Sequence, residues 1–468
     1  MRPANDAPMI RITAITAWAA YTAGLHWIFI SLHRYGDMPV WLAAPATALL
    51  AAYVALYAVA AALVCRWLQL KRTSHLMPPV AAAVITLAEW LRGTLLTGFP
   101  WLSWGYLAID TPLAGLAPLI GVYGVGFVLA LCVLWTVQVI TLRYRIALAG
   151  IVVSMAAGLV SDATMHTSPQ GKPLRVALIQ GAIAQSMKFD PDREMDAIRS
   201  QLELVRTAAV PGGPRLIVLP ETALIRPWEL IPPDTREAFY RMVHQSGATL
   251  MFGIPMRERE NWTNSVIAID EQSPPQGYSG RYDKHHLVPF GEFIPWGFRW
   301  FVNMMNMPLG DFSEGAAVQP PITVGDQRIS VNICFEDLFG EEIIGPLRSH
   351  IPMQQQPTVL LNVSNLAWFG ESIALGQHLD IARMRARETG RPVIRATNTG
   401  ATAAIDHRGR VMDALAYGEA GLLLTQVQGM SGTTVYARWG NVPILLLSLI
   451  LLAIGAAGRP RGSARTVG

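Results

Sequence analysis

Long apolar stretches separated by short polar connections fill the first 165 residues of the chain. A helix needs roughly 17–25 apolar residues to cross a bilayer. Stretches of about this length lie at residues 9–30, 41–65, 78–97, 113–141 and 146–162, and another at 441–457 consists mainly of Leu, Ile and Ala. The pattern predicts a membrane region of about five helical spans over residues 1–165 and a C-terminal span over residues 438–458.

Basic residues in the connections predict the direction of these spans, because cytoplasmic loops of membrane proteins are enriched in Lys and Arg. An alternating path brings four basic groups to one side: Arg2 and Arg11; Arg66, Lys71 and Arg72; Arg143 and Arg145; Arg459, Arg461 and Arg465. We therefore expect residues 459–468 to form a cytoplasmic tail. Residues 98–112 and 172–430 are then expected on the opposite side of the cytoplasmic membrane.

Residues 172–430 show a different pattern, in which short Val, Ile and Leu runs alternate with amphipathic stretches. Strands are predicted at Leu174–Gln180, Leu216–Leu219, Ala248–Ile254, Ser265–Ile269, Ile329–Ile333, Val359–Val363, Val393–Ala396 and Leu422–Val427. Helices are predicted at about 190–209, 234–246, 338–349 and 372–389. This alternation favours a layered α/β domain, in which functional side chains usually follow the strands.

Three glycines within the apolar run 113–141 resemble a dinucleotide-binding loop in their spacing: Gly121, Gly124 and Gly126. Such a loop would need a preceding strand and a following soluble helix. The apolar surroundings favour close packing of membrane helices, or a break in one helix, instead.

Composition narrows the class of function. The chain is 51% hydrophobic and 15% charged, against roughly 25% charged residues in soluble domains. The formal charge is only +4, and no Lys/Arg block with interleaved aromatic residues occurs, so a nucleic-acid partner is not expected. The three cysteines form no CxxC pair and no metal-binding pattern, and no metal site is predicted.

One cysteine differs from the other two in its surroundings. Cys65 and Cys132 lie in apolar runs and are read as packing residues. Cys334 ends a strand-like run and is followed by two carboxylates. Glu221 and Lys284 also follow short strand-like segments, and a thiol, a carboxylate and an ammonium together can form a nucleophilic site. Each residue alone fits a buried apolar thiol or a solvated surface charge, and their spacing does not show that they meet.

Several segments resemble known proteins, in the same order and over almost the whole chain. They are Tyr21–Ile28, Ile179–Pro191, Pro220–Thr222, Arg281–Pro295 and Asn332–Glu336. They resemble the nitrilase superfamily and, more closely, the bacterial apolipoprotein N-acyltransferases. Arg281–Pro295 is the most specific, because it joins Lys284 to a Leu-Val-Pro-Phe-Gly-Glu segment typical of that family.

The resemblance implies a fold and a set of site residues. The soluble domain would be an α-β-β-α sandwich with Glu221 as general base, Lys284 as oxyanion stabiliser and Cys334 as nucleophile. Glu292 and Glu336 would hold the lysine and the cysteine region, with a purely structural ion pair as the alternative. Many family members carry Tyr where this chain has Phe335, and the change would remove one hydrogen bond near the thiol.

The resemblance also implies a reaction that needs neither cofactor nor metal. A fatty acyl chain from a phospholipid, typically phosphatidylethanolamine, would pass through a Cys334 thioester to the α-amine of a diacylglyceryl-cysteine on an apolipoprotein. The α/β domain would lie on the periplasmic side of the bacterial inner membrane. Two alternatives stay open: a membrane-tethered amidase or nitrilase that hydrolyses a small amide, and an inactive membrane assembly protein. The family usually has two further spans before the segment that matches residues 9–30.

An aromatic segment follows Glu292 closely. Residues 296–308 are rich in Trp, Phe and Met and poor in charge, a composition that suits a membrane interface. We interpret it as an arm that admits lipid, with Trp296, Trp300 and Phe301 as access residues. Trp368-Phe369 and Pro227-Trp228 are assigned to similar loops. The alternative is that these aromatic side chains pack in the core of the soluble domain.

Overall fold

The structure is a computed structural model that describes residues 7–69, 74–142, 145–164, 166–184, 194–258, 261–275, 277–299, 312–348 and 351–459. The chain divides into two compact units. The first comprises Met1–Leu25, Pro45–Thr164 and Trp439–Gly468, and the second comprises His26–Ala44 and Met165–Arg438.

The first unit is built from apolar helices. The helices that enter it are Ala7–Gly24, Val40–Leu68, Met77–Arg92, Ala117–Leu142, Arg145–Ala163 and Val442–Ala457. Three helical segments of the described chain are long and apolar enough to cross a membrane: Val40–Leu68, Pro112–Thr141 and Arg145–Ala163. The number is four if Pro8–Gly24 and Trp27–Tyr35 are counted as one bent span. These helices form the predicted membrane base.

Glycines shape two of these helices. In the predicted stretch 78–97 the α-helix ends at Arg92, and the 3₁₀ turn Leu95–Thr97 leads to Gly98, which takes a positive φ of 85°. A Cβ on Gly98 would lie 2.1 Å from the carbonyl oxygen of Gly93. Gly121 has a φ of 65° and a ψ of −178° inside Ala117–Leu142. This is the helix break that its apolar surroundings favoured over a dinucleotide loop.

A buried ion pair lies at the end of the helix Met77–Arg92. The Arg92 guanidinium is 2.8 Å from Glu89 Oε2, and both residues are buried. Arg92 also donates hydrogen bonds to the carbonyl oxygens of Phe99 and Trp101, and the Trp104 N–H donates to Glu89. Charged groups can be buried only when they are paired and hydrogen-bonded. The pair therefore ties the returning chain to the helix.

The second unit contains an α/β sandwich. Its strands are β1 Ser168–Pro169, β2 Leu174–Gln180, β3 Leu216–Val218, β4 Thr249–Glu258, β5 Asn261–Ile269, β6 Gly280–Asp283, β7 Ile322–Val324, β8 Gln327–Ile333, β9 Val359–Ser364, β10 Val393–Thr397, β11 Ala403–Ile405, β12 Val411–Ala414, β13 Gly421–Val427 and β14 Met430–Ser431. Within the described residues, one six-stranded sheet has the order β13-β2-β3-β4-β5-β6 and the other β12-β11-β10-β9-β8-β7. The short pair β1-β14 is separate.

The two large sheets pack face to face, and helices cover their outer faces. Alternate residues of each strand, such as Leu178 in β2 and Leu361 in β9, share one buried cluster between the sheets. On the outer faces, Glu194–Ala208 and Pro233–Ser246 cover the first sheet, and Ala374–Thr389 covers the second. The predicted combination of a helical membrane base and an α-β-β-α sandwich is therefore confirmed.

Two local predictions are wrong. Instead of a helix over 338–349, the structure has the 3₁₀ turn Cys334–Leu338, the single helical turn Gly340–Ile343 and the 3₁₀ turn Gly345–Leu347. Pro346 disfavours helical geometry at the residue before it. Trp228 is not in an exposed loop, because it is 2% exposed and packs against Phe239 and Phe252 in the core.

The Glu89–Arg92 pair generates a prediction about stability. Glu89→Ala would leave a buried guanidinium without its carboxylate, which typically costs about 3–5 kcal/mol. We expect a clear fall in the apparent melting temperature of the purified protein in detergent. The matched control is Asp196→Ala, since Asp196 pairs with Arg199 at the same spacing but both side chains are more than half exposed. Equal shifts for the two variants would contradict a stabilising role of the buried pair.

Candidate active site

The three residues predicted to be catalytic each lie just after the end of a strand. Glu221 follows β3 after Leu219 and Pro220, Lys284 follows β6 directly, and Cys334 follows β8 directly. Cys334 has a φ of 53°, a strained conformation for a residue with a side chain, of the kind that is concentrated at functional sites. The sharp turn ends β8 and begins the 3₁₀ turn.

Glu221 is held from several directions. The Asn264 amide donates to Glu221 Oε1 at 2.8 Å, and the Asn365 backbone N–H donates to Oε2 at 2.9 Å. Gly253 lies directly beside this residue, and a Cβ there would be 2.6 Å from the Glu221 Cα. The close approach of the β4 backbone and the two donors fix the carboxylate in one orientation.

Lys284 lies in a pocket of carboxylates. Its ammonium is 2.9 Å from both oxygens of Glu292 and 3.6 Å from Glu221 Oε1. Asn264 also donates to Glu292 at 2.7 Å, and Glu292 accepts a bond from the Val288 N–H. Burial lowers the pKa of Lys284, but Glu292 and then Glu221 outweigh it and raise the pKa well above its ordinary value. The lysine is therefore a permanent cation.

The Cys334 thiol keeps its proton in the resting site. Burial raises its pKa well above the ordinary range, and the nearby Glu221 raises it further, while Lys284 opposes the shift. Glu221 and Lys284 therefore act on the thiol in opposite directions. A carboxylate beside a thiol can take its proton as the sulfur attacks an electrophile, and among the carboxylates Glu221 acts most strongly on Cys334.

Glu336 joins the lysine segment to the cysteine turn. It accepts hydrogen bonds from the Tyr282 hydroxyl and from the N–H groups of His285, His286 and Ile333, at 2.6–3.1 Å. Burial raises its pKa to about 7, against the opposing effects of Lys284 and these backbone donors. One carboxylate thus bridges the residues that follow Lys284 and the residue that precedes Cys334.

Behind Cys334 lies a network that the sequence did not reveal. Arg395, on β10, is 3.0 Å from Asp337 Oδ2 and 2.6 Å from His378 Nδ1, and all three residues are fully buried. Burial and then Arg395 lower the pKa of His378 well below its ordinary value. The ring is therefore neutral, accepts from Arg395 at Nδ1 and donates from Nε2 to the Cys334 carbonyl at 3.2 Å.

Asn264 and Asn365 were also missed by the sequence interpretation. The available signal was a polar residue inside or just after a buried strand, since Asn264 lies in β5 and Asn365 follows β9. Neither residue belongs to a charged motif. Their importance depends on contacts with Glu221, far away in sequence.

The remaining predicted residues occupy different surroundings. Phe335 is buried between His286 and Phe339. Trp296 is 98% exposed. Trp368 is partly buried and makes an edge-to-face contact with Tyr35 at 5.8 Å. Trp300 and Phe301 lie outside the described residues.

The arrangement fits nucleophilic acyl transfer. It brings the Cys334 thiol together with a buried carboxylate, Glu221, and a buried ammonium, Lys284, which lie 3.6 Å apart. Within the residues that the structure describes, no group of three or more His, Cys, Asp or Glu side chains is placed to hold a metal ion.

Comparison with known families covers both parts of the chain. The family model described as Apolipoprotein N-acyltransferase N-terminal domain matches residues 3–135, and the one described as Carbon-nitrogen hydrolase matches residues 175–436. Among solved structures, a carbon-nitrogen hydrolase superfamily protein of Xanthomonas campestris aligns with 55% of this chain and 91% of its own, at 18% identity and a TM-score of 0.41.

Relatives of known name match nearly the full length. An apolipoprotein N-acyltransferase of Bordetella bronchiseptica is 42% identical over 97% of this chain and 89% of its own length. Another, from Ralstonia nicotianae, is 44% identical over 98% of this chain and 88% of its own. With family matches in both the helical and the α/β parts, and identity sustained over nearly the whole length, the chain belongs to the apolipoprotein N-acyltransferase family.

Proposed function

We propose that this protein transfers a fatty acyl chain from a membrane phospholipid, through a thioester on Cys334, to the N-terminal α-amine of the diacylglyceryl-cysteine of apolipoproteins. The observation that carries the proposal is the cluster at the ends of β3, β6 and β8, in which Glu221 and Lys284 lie 3.6 Å apart and both act on the Cys334 thiol. The names of the relatives support the acceptor. Phosphatidylethanolamine is our proposed donor.

In the first half of the reaction, Cys334 Sγ attacks the ester carbonyl of the phospholipid while Glu221 takes the thiol proton. The Lys284 ammonium stabilises the oxyanion that develops on the carbonyl oxygen. The carbon–oxygen bond to the glycerol then breaks, and the proton on Glu221 passes to the departing lysophospholipid. Cys334 is left as a thioester and Glu221 as a carboxylate.

In the second half, the α-amine of the lipoprotein attacks the thioester carbonyl. Glu221 accepts a proton from the attacking nitrogen, and Lys284 again faces the oxyanion. The carbon–sulfur bond breaks, an amide forms, and the proton on Glu221 returns to Cys334. The thioester is already activated, so this ping-pong sequence needs no ATP and no cofactor.

The proposed location follows from the basic residues of the connections. Residues 1–165 and 438–458 would span the bacterial inner membrane, residues 459–468 would lie in the cytoplasm, and the catalytic domain, residues 172–430, would face the periplasm. Both substrates are anchored in the bilayer by their acyl chains. A catalytic domain on a membrane base meets them where they reside.

We propose that the segment containing Trp296 and Phe298 belongs to a membrane-contacting arm that admits lipid. Trp296 is 98% exposed, and Phe298, which contacts Phe290, is 45% exposed two residues further on. Large apolar side chains exposed together in one patch mark sites of protein or membrane contact. Trp368 contributes differently, since it packs against Tyr35. The arm proposal therefore rests on Trp296 and its neighbours.

The first prediction of the proposed function concerns the acyl-enzyme. Purified protein incubated with phosphatidylethanolamine should gain a fatty-acyl mass on Cys334, and a diacylglyceryl-cysteine peptide should remove it as the N-acylated peptide. Cys334→Ala should gain nothing in intact-mass spectrometry. An adduct removed only by water would support an amidase-like hydrolase. No adduct in the wild type would contradict the transfer reaction.

The second prediction concerns pH. In a Cys65→Ser, Cys132→Ser background, Cys334 is the remaining thiol of the chain. Because burial and Glu221 raise its pKa, alkylation by iodoacetamide should still increase above pH 9, past the ordinary thiol midpoint of about 8.5. Lys284→Met removes the cation that lowers this pKa, so its profile should move to higher pH, whereas the exposed control Lys172→Met should not. A plateau below pH 8 would contradict this charge assignment.

The third prediction tests the arm. Trp296→Ser should lower acyl-enzyme formation from sub-saturating phospholipid by about tenfold, the loss expected when one large apolar side chain no longer enters an apolar phase. Alkylation of Cys334 by iodoacetamide should not change, because the site itself is intact. Leu424→Ser, at a 62% exposed position on β13, is the control. Equal activity of both variants would rule out membrane contact by Trp296.

A further inference from the structure

A segment from between two predicted membrane spans belongs to the α/β unit. Residues His26–Ala44 group with Met165–Arg438, although the residues on either side group with the helical unit. The segment begins with the helical turn Trp27–Ile30 and continues as the π-helical turn Ser31–Tyr35. Trp27 is only 1% exposed.

This segment packs on the residues that follow β9. The Trp27 ring lies 4.4 Å from that of Phe369, and the Tyr35 ring lies 5.8 Å from that of Trp368. Both partners are in the 3₁₀ turn Leu366–Phe369. A Cβ on Gly370 would lie 3.4 Å from the Ile30 side chain. The turn is therefore covered by aromatic and aliphatic groups from residues 27–35.

The turn that it covers begins next to a contact of the active site. Asn365 immediately precedes Leu366, and its N–H donates to Glu221 Oε2 at 2.9 Å. Its side chain is fixed by Asn398 at 3.1 Å and by Thr222 at 3.2 Å. The backbone around Asn365 is thus held by polar contacts on one side and by the tilted ring contact between Trp27 and Phe369 on the other.

A second contact reaches the nucleophile. The Trp27 indole N–H donates to Gln377 Oε1 at 3.1 Å. Gln377 directly precedes His378 in the helix Ala374–Thr389, and His378 contacts the Cys334 carbonyl at 3.2 Å. One indole therefore contacts both segments that orient the reacting groups, the first through Phe369 and the second through Gln377.

We infer that Trp27 is a positioning residue, which aligns Glu221 through the 365–369 turn and Cys334 through Gln377 and His378. The inference rests on the proposed roles of Glu221 and Cys334. Residues 26–44 then connect two membrane helices and also help to position the reacting groups of the α/β unit. Displacing Trp27 slows thiol activation without changing the affinity for lipid.

The test compares Trp27→Phe, which keeps a ring against Phe369 but loses the N–H, with Gln377→Leu, which loses the acceptor, and with the double variant. Each single change should lower the rate of acyl-enzyme formation at saturating phospholipid by about three- to tenfold, the range expected for one neutral hydrogen bond. The half-saturating lipid concentration should stay the same. The double variant should be no slower than the slower single variant, because both remove the same bond.

Alkylation of Cys334 by iodoacetamide separates positioning from lipid docking. All three variants should alkylate more slowly than the wild type, whereas a segment that only docks lipid would leave alkylation unchanged. Trp27→Ala should be slower than Trp27→Phe in both assays, and melting temperatures show whether that larger change disturbs folding. The matched control is Trp18→Phe, which removes an indole bond to the Ala48 carbonyl in the helical unit and should behave as wild type.

The outcomes are distinguishable. Wild-type rates of acylation and alkylation in both Trp27→Phe and Gln377→Leu would overturn the positioning role while leaving the acyl transfer intact. Additive losses in the double variant would overturn the shared bond as its route. If the wild type itself formed no acyl-enzyme, the proposed function would fail, and the alkylation rates would still decide whether Trp27 aligns the thiol and the carboxylate.

Discussion

The buried ammonium of Lys284 is the constraint on which the candidate active site depends. A charge with 1% exposure is tolerated only with close counter-charges, and Glu292 supplies both of its oxygens at 2.9 Å. Two carboxylates so close together would repel each other without the cation between them. The Asn264 amide adds a neutral bridge, since it donates to Glu221 and to Glu292. Loss of any one member would leave a buried charge or donor unpaired.

The same constraint links the two sheets. Glu221 and Lys284 extend from one sheet and Cys334 from the other, so packing between the sheets sets the distance between the proposed base and the proposed nucleophile. Glu336 strengthens this link, because it lies in the Cys334 turn and accepts from His285 and His286 beside the lysine. The apolar cluster between the sheets and the hydrogen bonds of Glu336 therefore both fix the position of Cys334 relative to Lys284.

The elements that could be predicted from the sequence are those that a local pattern of residues determines. Strands β2 and β9 were predicted to within a residue because each is a short, mainly apolar run that is almost wholly buried. The exposed strand β12 and the short β7 carry no such run, and both were missed. Motif resemblance led to Glu221, Lys284 and Cys334, but Asn264 and His378 matter through contacts between distant segments. Trp228 resembled an interfacial residue and is a core residue, because aromatic composition alone does not distinguish the two.

Lys284 and Arg395 both lie near Cys334, but they differ in how many of their hydrogen-bond donors are already used. This difference explains why we assign the oxyanion to Lys284 and a structural role to Arg395. Arg395 is committed to Asp337, to His378 and to the carbonyl oxygens of His378 and Ala401. Lys284 is hydrogen-bonded to Glu292, but its 3.6 Å separation from Glu221 exceeds a hydrogen bond. When Glu221 takes the thiol proton and becomes neutral, its attraction for the ammonium falls. In our mechanism the negative charge then moves to the oxyanion. The reaction therefore replaces the 3.6 Å contact of Lys284 with Glu221 by a contact with the oxyanion, while Glu292 holds the lysine in place.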